Sequence, residues 1–336
     1  MEQLGFEGMP RRLYTCTPSR LNTWLDCPRR YRMTYLDRPM PPKGPPWAHN
    51  SVGASVHNAL AGWWRLPVHE RTPEAAGSLL VRGWLMDGFR DEAQSAEWRE
   101  RAREMTERYA AGLDPHDEPL GVERTVATRT DRIAVSGRID RLDARGPELV
   151  VVDYKTGRHI LTSDDARGSL ALAIYAVAAS RVLRRPCHRV ELHHLPSGEV
   201  AVWEHTDESL ARHMRRAEQI AEEAAAADEA YKALPGGVGV VPPQGAGLFR
   251  GVWGSSPAGG RALTGGVGGR PATGDAGNAR VPRPREGEVE HGPYDELFPP
   301  RPGNLCSWCD FARHCPEGRE AAPRKDPWAA LPVDVS

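Results

Sequence analysis

"GRIDRLDARGPELVVVDYKTGR", residues 137–158, holds an apolar run, Leu149 to Val152, that ends directly on Asp153-Tyr154-Lys155. The segments flanking "ARGP" read as two antiparallel strands joined by a tight turn. Side chains two apart on a strand point to the same side, so Asp153 and Lys155 face together. A turn centred on Arg145 and Gly146 puts Asp140 nearly opposite Val151, hence diagonal to Asp153 on that same face. Two carboxylates so placed repel each other unless a divalent cation lies between them, and oxygen ligands suit Mg²⁺ or Mn²⁺. Lys155 would then orient a water or stabilise charge developing on a phosphate. An isolated acid–acid–lysine pattern also arises as ordinary surface charge, so its meaning rests on what surrounds it.

Upstream, "SRLNTWLDCPRRYRMTYL" (19–36) reads as an amphipathic helix with Pro28 breaking it or starting a second one. After the proline-rich "RPMPPKGPPW", a helix carrying His57 is expected over 53–65, and two more over 74–111, closed by a glycine stop. Downstream, the alanine-rich 168–183 forms a largely buried helix, and "HRVELHHLPSGEVAVWEH" (188–205) a hairpin. A helix over 207–234 carries the stripe Leu210, Met214, Ala217 and Ala221. Residues 235–293 then turn to Gly, Pro, Ser, Ala and Arg without periodicity, which reads as disorder. Within them only Leu248, Phe249 and Trp253 offer an apolar docking motif.

The 336 residues suffice for a sizeable core, and the formal net charge of -1 gives no global mark of a nucleic-acid partner. Any such contact needs a local patch, and Arg11, Arg12, Arg20, Arg29, Arg30, Arg32, Arg38 and Lys43 supply one near the start. No run of about 18 apolar residues is present, so no membrane span is expected, and the start lacks the apolar region of a signal peptide. A cytoplasmic chain follows as the expectation. Its six cysteines then suit metal ligation or free thiols better than disulfides. Cys306-x2-Cys309-x5-Cys315 offers three thiolates, and a zinc site would take His314 or Cys27 as a fourth ligand.

The order Gly53-Ala54-Ser55-Val56-His57, then Gly137-Arg138-Ile139-Asp140, then Asp153-Tyr154-Lys155-Thr156-Gly157 resembles the RecB-family nucleases of the PD-(D/E)XK superfamily. That resemblance implies an α/β, restriction-endonuclease-like core with helical additions. It assigns the metal to His57, Asp140 and Asp153, and the catalytic role to Lys155, beside Asp140 and Asp153. Glu123 stands where such proteins often carry an acid on the first core strand, with a plain salt bridge as the other reading. Tyr175 matches a tyrosine on the helix after the lysine strand, but position 171, usually Gln, is Ala here.

One upstream cysteine with three clustered near the C-terminus is similar to the iron–sulfur staple of AddB-type and CRISPR-adaptation nucleases. The resemblance implies a [4Fe–4S] cluster on Cys27, Cys306, Cys309 and Cys315, tying the N- and C-terminal parts together, with Cys16 and Cys187 as plain thiols. The expected organisation is a nuclease domain over 17–234, an insertion over 235–293, a cysteine segment over 294–318 and a tail over 319–336. The implied function is metal-dependent, exonucleolytic hydrolysis of DNA in repair or recombination. Arg20, Arg29, Arg30 and Tyr175 would contact the substrate. No phosphate-binding GxxxxGK[ST] loop is present, so unwinding would come from a helicase or repair partner. The rival is a non-catalytic DNA-binding scaffold that keeps fold and cluster.

Overall fold

A computed structural model describes residues 13–234 and 293–331. The elements run β1 (Tyr14–Cys16), α1 (Pro18–Asp26), α2 (Pro28–Tyr35), α3 (Ala48–Trp64), α4 (Pro73–Arg82), α5 (Glu92–Ala111), β2 (Gly121–Arg129), β3 (Ile133–Arg145) and β4 (Glu148–Lys155). They continue with α6 (Ser163–Gly168), α7 (Leu170–Leu183), β5 (Arg189–His194), β6 (Glu199–Glu204), α8 (Asp207–Ala233), α9 (Pro293–Leu297) and α10 (Pro316–Ala321). Local chemistry sets several boundaries. Thr17 and Thr72 cap α1 and α4 through their hydroxyls, each with proline in the first turn, and Cys27-Pro28 separates α1 from α2.

All six strands form one mixed sheet. Along one edge of β3 lies antiparallel β2; along the other, β1 takes the first residues and β4 the last. β4 then pairs in parallel with β5, and β5 forms the expected hairpin with β6. The central strand β4 is buried on both faces, which its unbroken apolar run requires. Leu149 and Val151 pack on α7 through Leu172, Ala173 and Ala176, while Val150, Val152 and Tyr154 pack on α3 and α5 through Val52, Val56 and Met105. The expected stripe of α8 is buried at Leu210, Met214, Ala217 and Ala221. Phe298, from the C-terminal part, enters the same cluster as Trp24 and Tyr31 of the first two helices. Among the described residues no helix is long and apolar enough to cross a membrane. The sequence expectation for 235–293 falls almost wholly outside the described residues.

Candidate active site

The β3–β4 turn is not centred where its sequence suggests. Arg145 pairs with Glu148, so Gly146 and Pro147 are the central residues, with Gly146 at φ +60°. The register therefore differs by two residues from the expected one, which keeps each residue's face but brings Asp140 level with Asp153 instead of diagonal to it. The ladder stops one pair short of them, at Arg141↔Val152. On the other edge, the β2–β3 ladder passes from Val122↔Arg141 to Arg124↔Ile139 with no pair at Glu123 and Asp140. Alternation slips there: Ile139 and Leu142, three apart, both join the cluster on α7, while Arg141 lies over the Trp64 ring of α3. Glu123 sits at φ +50°, a left-handed conformation that costs a non-glycine residue about 1–3 kcal/mol and is found where a site demands it.

The slip aims the carboxylates inward. Asp140 Oδ2 accepts the Tyr154 backbone N–H at 2.9 Å, and its Oδ1 lies 3.3 Å from His57 Nδ1. His57 Nε2 is 3.2 Å from the Tyr154 carbonyl oxygen. Helix α3 comes this close because Gly53, one turn before His57, leaves no room to spare: a Cβ there would stand 3.3 Å from Thr156 Oγ1. One ligand atom each from His57, Glu123 and Asp140 lie within 4.8 Å of one another. Among the described residues this is the only set of three or more such groups so close. Asp153 is outside that set, with the Lys155 ammonium against its Oδ2. Glu123 also pairs with Arg138, Nε to Oε2 at 2.7 Å.

Electrostatics mark the same spot. Burial, followed by the Asp140 charge, pushes Asp153 upward against the pull of Lys155. Burial likewise raises Glu123, opposed by Arg138 and reinforced by Asp140. Burial works against a charged His57, but the Asp140 hydrogen bond and the nearby carboxylates prevail and raise its pKa. Tyr175 on α7 is raised to about 12 by burial and by the charges of Asp153 and Asp140. It is pressed onto β3 where Gly137 has no side chain: a Cβ there would lie 2.3 Å from its Cε1. Three crowded acids beside an imidazole are a donor set that a hard divalent cation would relieve.

A family profile for the PD-(D/E)XK nuclease superfamily matches residues 15–246. The chain belongs to the PD-(D/E)XK nuclease superfamily. No curated protein matches it. Among solved structures, one titled "Crystal structure of SSO0001" is similar at 12% identity and a TM-score of 0.27, over 68% of this chain and 85% of that one.

In this superfamily member two of the expected substrate arginines point elsewhere. Arg20 donates to Tyr31 Oη and Asp228 Oδ2, the latter at 2.9 Å, and lies over the rings of Tyr14, Tyr31 and Tyr35. Arg29 is 5% exposed and engaged with Asp295 and Glu317. Both guanidiniums are engaged by acids more than 200 residues away in sequence, Arg29 in a buried setting and Arg20 in a partly exposed one. Arg30 stays at the surface, 3.6 Å from Asp26. The exposed cations beside the carboxylates are instead Arg138 and Lys155, with side-chain exposures of 57% and 45%. Sequence reading passed over Arg138, although its place two residues before Asp140 in "GRID" was the available signal.

The four clustered cysteines line one cavity with Met33, Leu305 and Phe311. Gly318 belongs to that cradle: a Cβ on it would lie 3.3 Å from Cys315 Sγ and 3.4 Å from Cys306 Sγ. His314 is turned away, its Nε2 3.0 Å from the Pro42 carbonyl oxygen. Cys16 and Cys187 are buried in separate clusters, and burial raises each to about 12.

Proposed function

We propose that this chain is a divalent-cation-dependent DNA nuclease, acting as an exonuclease in repair or recombination. One observation carries the reading: His57, Glu123 and Asp140 converge to within 4.8 Å beside the Asp153–Lys155 pair. His57, Asp140 and Asp153, with Glu123 added, would hold Mg²⁺ or Mn²⁺. Bound there, the ion supplies Lewis acidity and an activated water. The Tyr154 N–H fixes Asp140, so that carboxylate is held in place before substrate arrives. Lys155 carries the positive charge that orients the attacking water and offsets charge growing on the phosphate. Arg138, Arg30 and Tyr175 contact the DNA strand. A helicase or repair factor presents that strand.

The cysteines support a second part of the proposal, a [4Fe–4S] cluster on Cys27, Cys306, Cys309 and Cys315. The four thiols line one cavity, and Gly318 leaves room beside the sulfurs of Cys306 and Cys315. The domain plan follows, with a nuclease unit over 17–234 closed by the cysteine segment over 294–318.

The test uses anaerobically purified full-length protein and end-labelled single- and double-stranded DNA. Asp153→Ala and Lys155→Ala should each lower cleavage by about a hundredfold or more, and EDTA should abolish it. Wild-type rates from Asp153→Ala with Mg²⁺ or Mn²⁺ present would overturn the assignment.

A further inference from the structure

Arg29 was expected to hold phosphate and instead lies in the wall of the cysteine cavity. Its guanidinium spans three chain segments. Nη2 donates to Asp295 Oδ1 at 2.8 Å, on α9; Nη1 donates to Glu317 Oε2 at 2.5 Å, on α10; and the same nitrogen lies 3.5 Å from Cys315 Sγ. Burying an arginine this deeply is costly unless its charge and hydrogen bonds are met. Two carboxylates meet the charge at Nη1 and Nη2 while Nε is left without a partner among the described residues, and the third contact, to sulfur, remains to be explained.

The contact has a chemical sense. Cys315 Sγ faces a hydrogen-bonded pair, with Glu317 Oε2 at 3.6 Å and Arg29 Nη1 at 3.5 Å on the same side of the sulfur. As a thiol it gives its proton toward the carboxylate, and as a metal-bound thiolate it accepts from Arg29. Positive charge and N–H donors beside a ligating sulfur stabilise the thiolate and raise the potential of a redox cluster held by it. Arg29 also follows Cys27 by two residues at the start of α2, so its bridges to Asp295 and Glu317 hold the N-terminal ligand against the C-terminal three.

We propose that Arg29 is a positioning residue for the cysteine-held metal, locking Cys27 to the C-terminal cysteines and donating to the Cys315 sulfur. This rests on the reading of the four cysteines as a metal site. Residues that support a metal ligand in this way typically alter affinity by about 10–100-fold when replaced.

The experiment compares Arg29→Met, Arg29→Lys and Glu317→Gln with wild type, all as full-length, anaerobically purified protein. Read out are iron and acid-labile sulfide per chain, the rate of iron release to a ferrous chelator, the midpoint potential and the thermal melt. Arg29→Met should release iron about 10–100-fold faster and have a more negative potential. Arg29→Lys keeps the charge without the fork, so it should release iron faster while its potential stays near wild type. Glu317→Gln should fold and also speed release. If Arg29→Met does not fold, Arg29→Lys decides by its release rate. Wild-type release and potential in the folded arginine variants would overturn the proposal, as would a lowered melt with neither quantity moved. Wild-type protein holding zinc and no iron would overturn the cluster reading alone, and zinc release from the same variants would then judge Arg29.

Discussion

Glu123→Gly should be more stable than Glu123→Ala, and both should be less active than wild type. Glu123 holds φ +50°, where an L-residue gives up about 1–2 kcal/mol relative to glycine. Glycine's greater freedom in the unfolded chain returns about 0.4–1 kcal/mol of that. Against Glu123→Ala, which keeps the strained backbone, Glu123→Gly should therefore be favoured by about 1 kcal/mol. Both variants lose the ion pair with Arg138, whose exposed side chain limits that loss to about 0–1 kcal/mol. Both also remove a carboxylate that is buried and repelled by Asp140. Thermal melts in EDTA should place Glu123→Gly about 2–4 °C above Glu123→Ala. Cleavage by either should fall well below wild type at limiting Mn²⁺ and recover in part as Mn²⁺ is raised. A glycine variant melting at or below the alanine variant would refute the strain argument. Wild-type cleavage by both at limiting Mn²⁺ would remove Glu123 from the cation's ligands.

Asp228→Ala tests the role of Arg20 in the fold: it strips a partly exposed guanidinium of its buried carboxylate and should cost about 1.5–3 kcal/mol in chemical denaturation, whereas a surface phosphate ligand would lose almost nothing. His205 is held down at about 4 by burial, with His213 and His188 adding to the effect. The unfolded chain therefore takes up that proton first as pH falls from about 6.5 toward 4, and stability drops across this window. Melts of His205→Gln against wild type should show a shallower acid slope, and parallel slopes would refute it. Removing residues 236–291, so that Pro235 joins Gly292, should leave nuclease activity and iron content near wild type. The Tyr231 and Tyr294 rings flanking the removed segment pack at 5.3 Å, so the shortened link has little distance to cover. A folded but inactive deletion variant would show that the segment contributes to the chemistry.

Most of the scaffold was legible because its signals are local. The apolar run of β4, the Pro28 break, the hairpin over 188–205 and the stripe on α8 each follow from spacing within about 20 residues. The turn was misplaced for a local reason that could have been read. In a two-residue hairpin, glycine with positive φ takes the first central position, which centres "ARGP" on Gly146 and Pro147. The partners of the arginines were illegible for a different reason. Nothing near Arg20 or Arg29 announces Asp228, Asp295 or Glu317, and a cation's fate depends on which acid the fold brings to it. Glu123 was found only through resemblance, because its place in the site depends on a break in strand alternation that no periodicity displays.

The carboxylate site and the cysteine site are joined by the chain that leaves α10. After Ala322 it runs back along α3, where Ala48 donates its backbone N–H to the Pro327 carbonyl at 3.0 Å. Trp328 and Leu331 then pack into the cluster that holds Val152 and Tyr154. Arg158, three residues beyond Lys155, donates to the carbonyl oxygens of Ala329, at 3.1 Å, and Leu331. The segment that carries three of the cysteines is thus anchored at one end on α2, through Arg29, and at the other on the loop following the lysine. Loosening the cysteine site would release apolar cover from the buried strand whose last residues are Asp153, Tyr154 and Lys155. Tyr154 supplies both the N–H that fixes Asp140 and the carbonyl that faces His57, so a shift of that strand end disturbs two donors of the candidate cation site together.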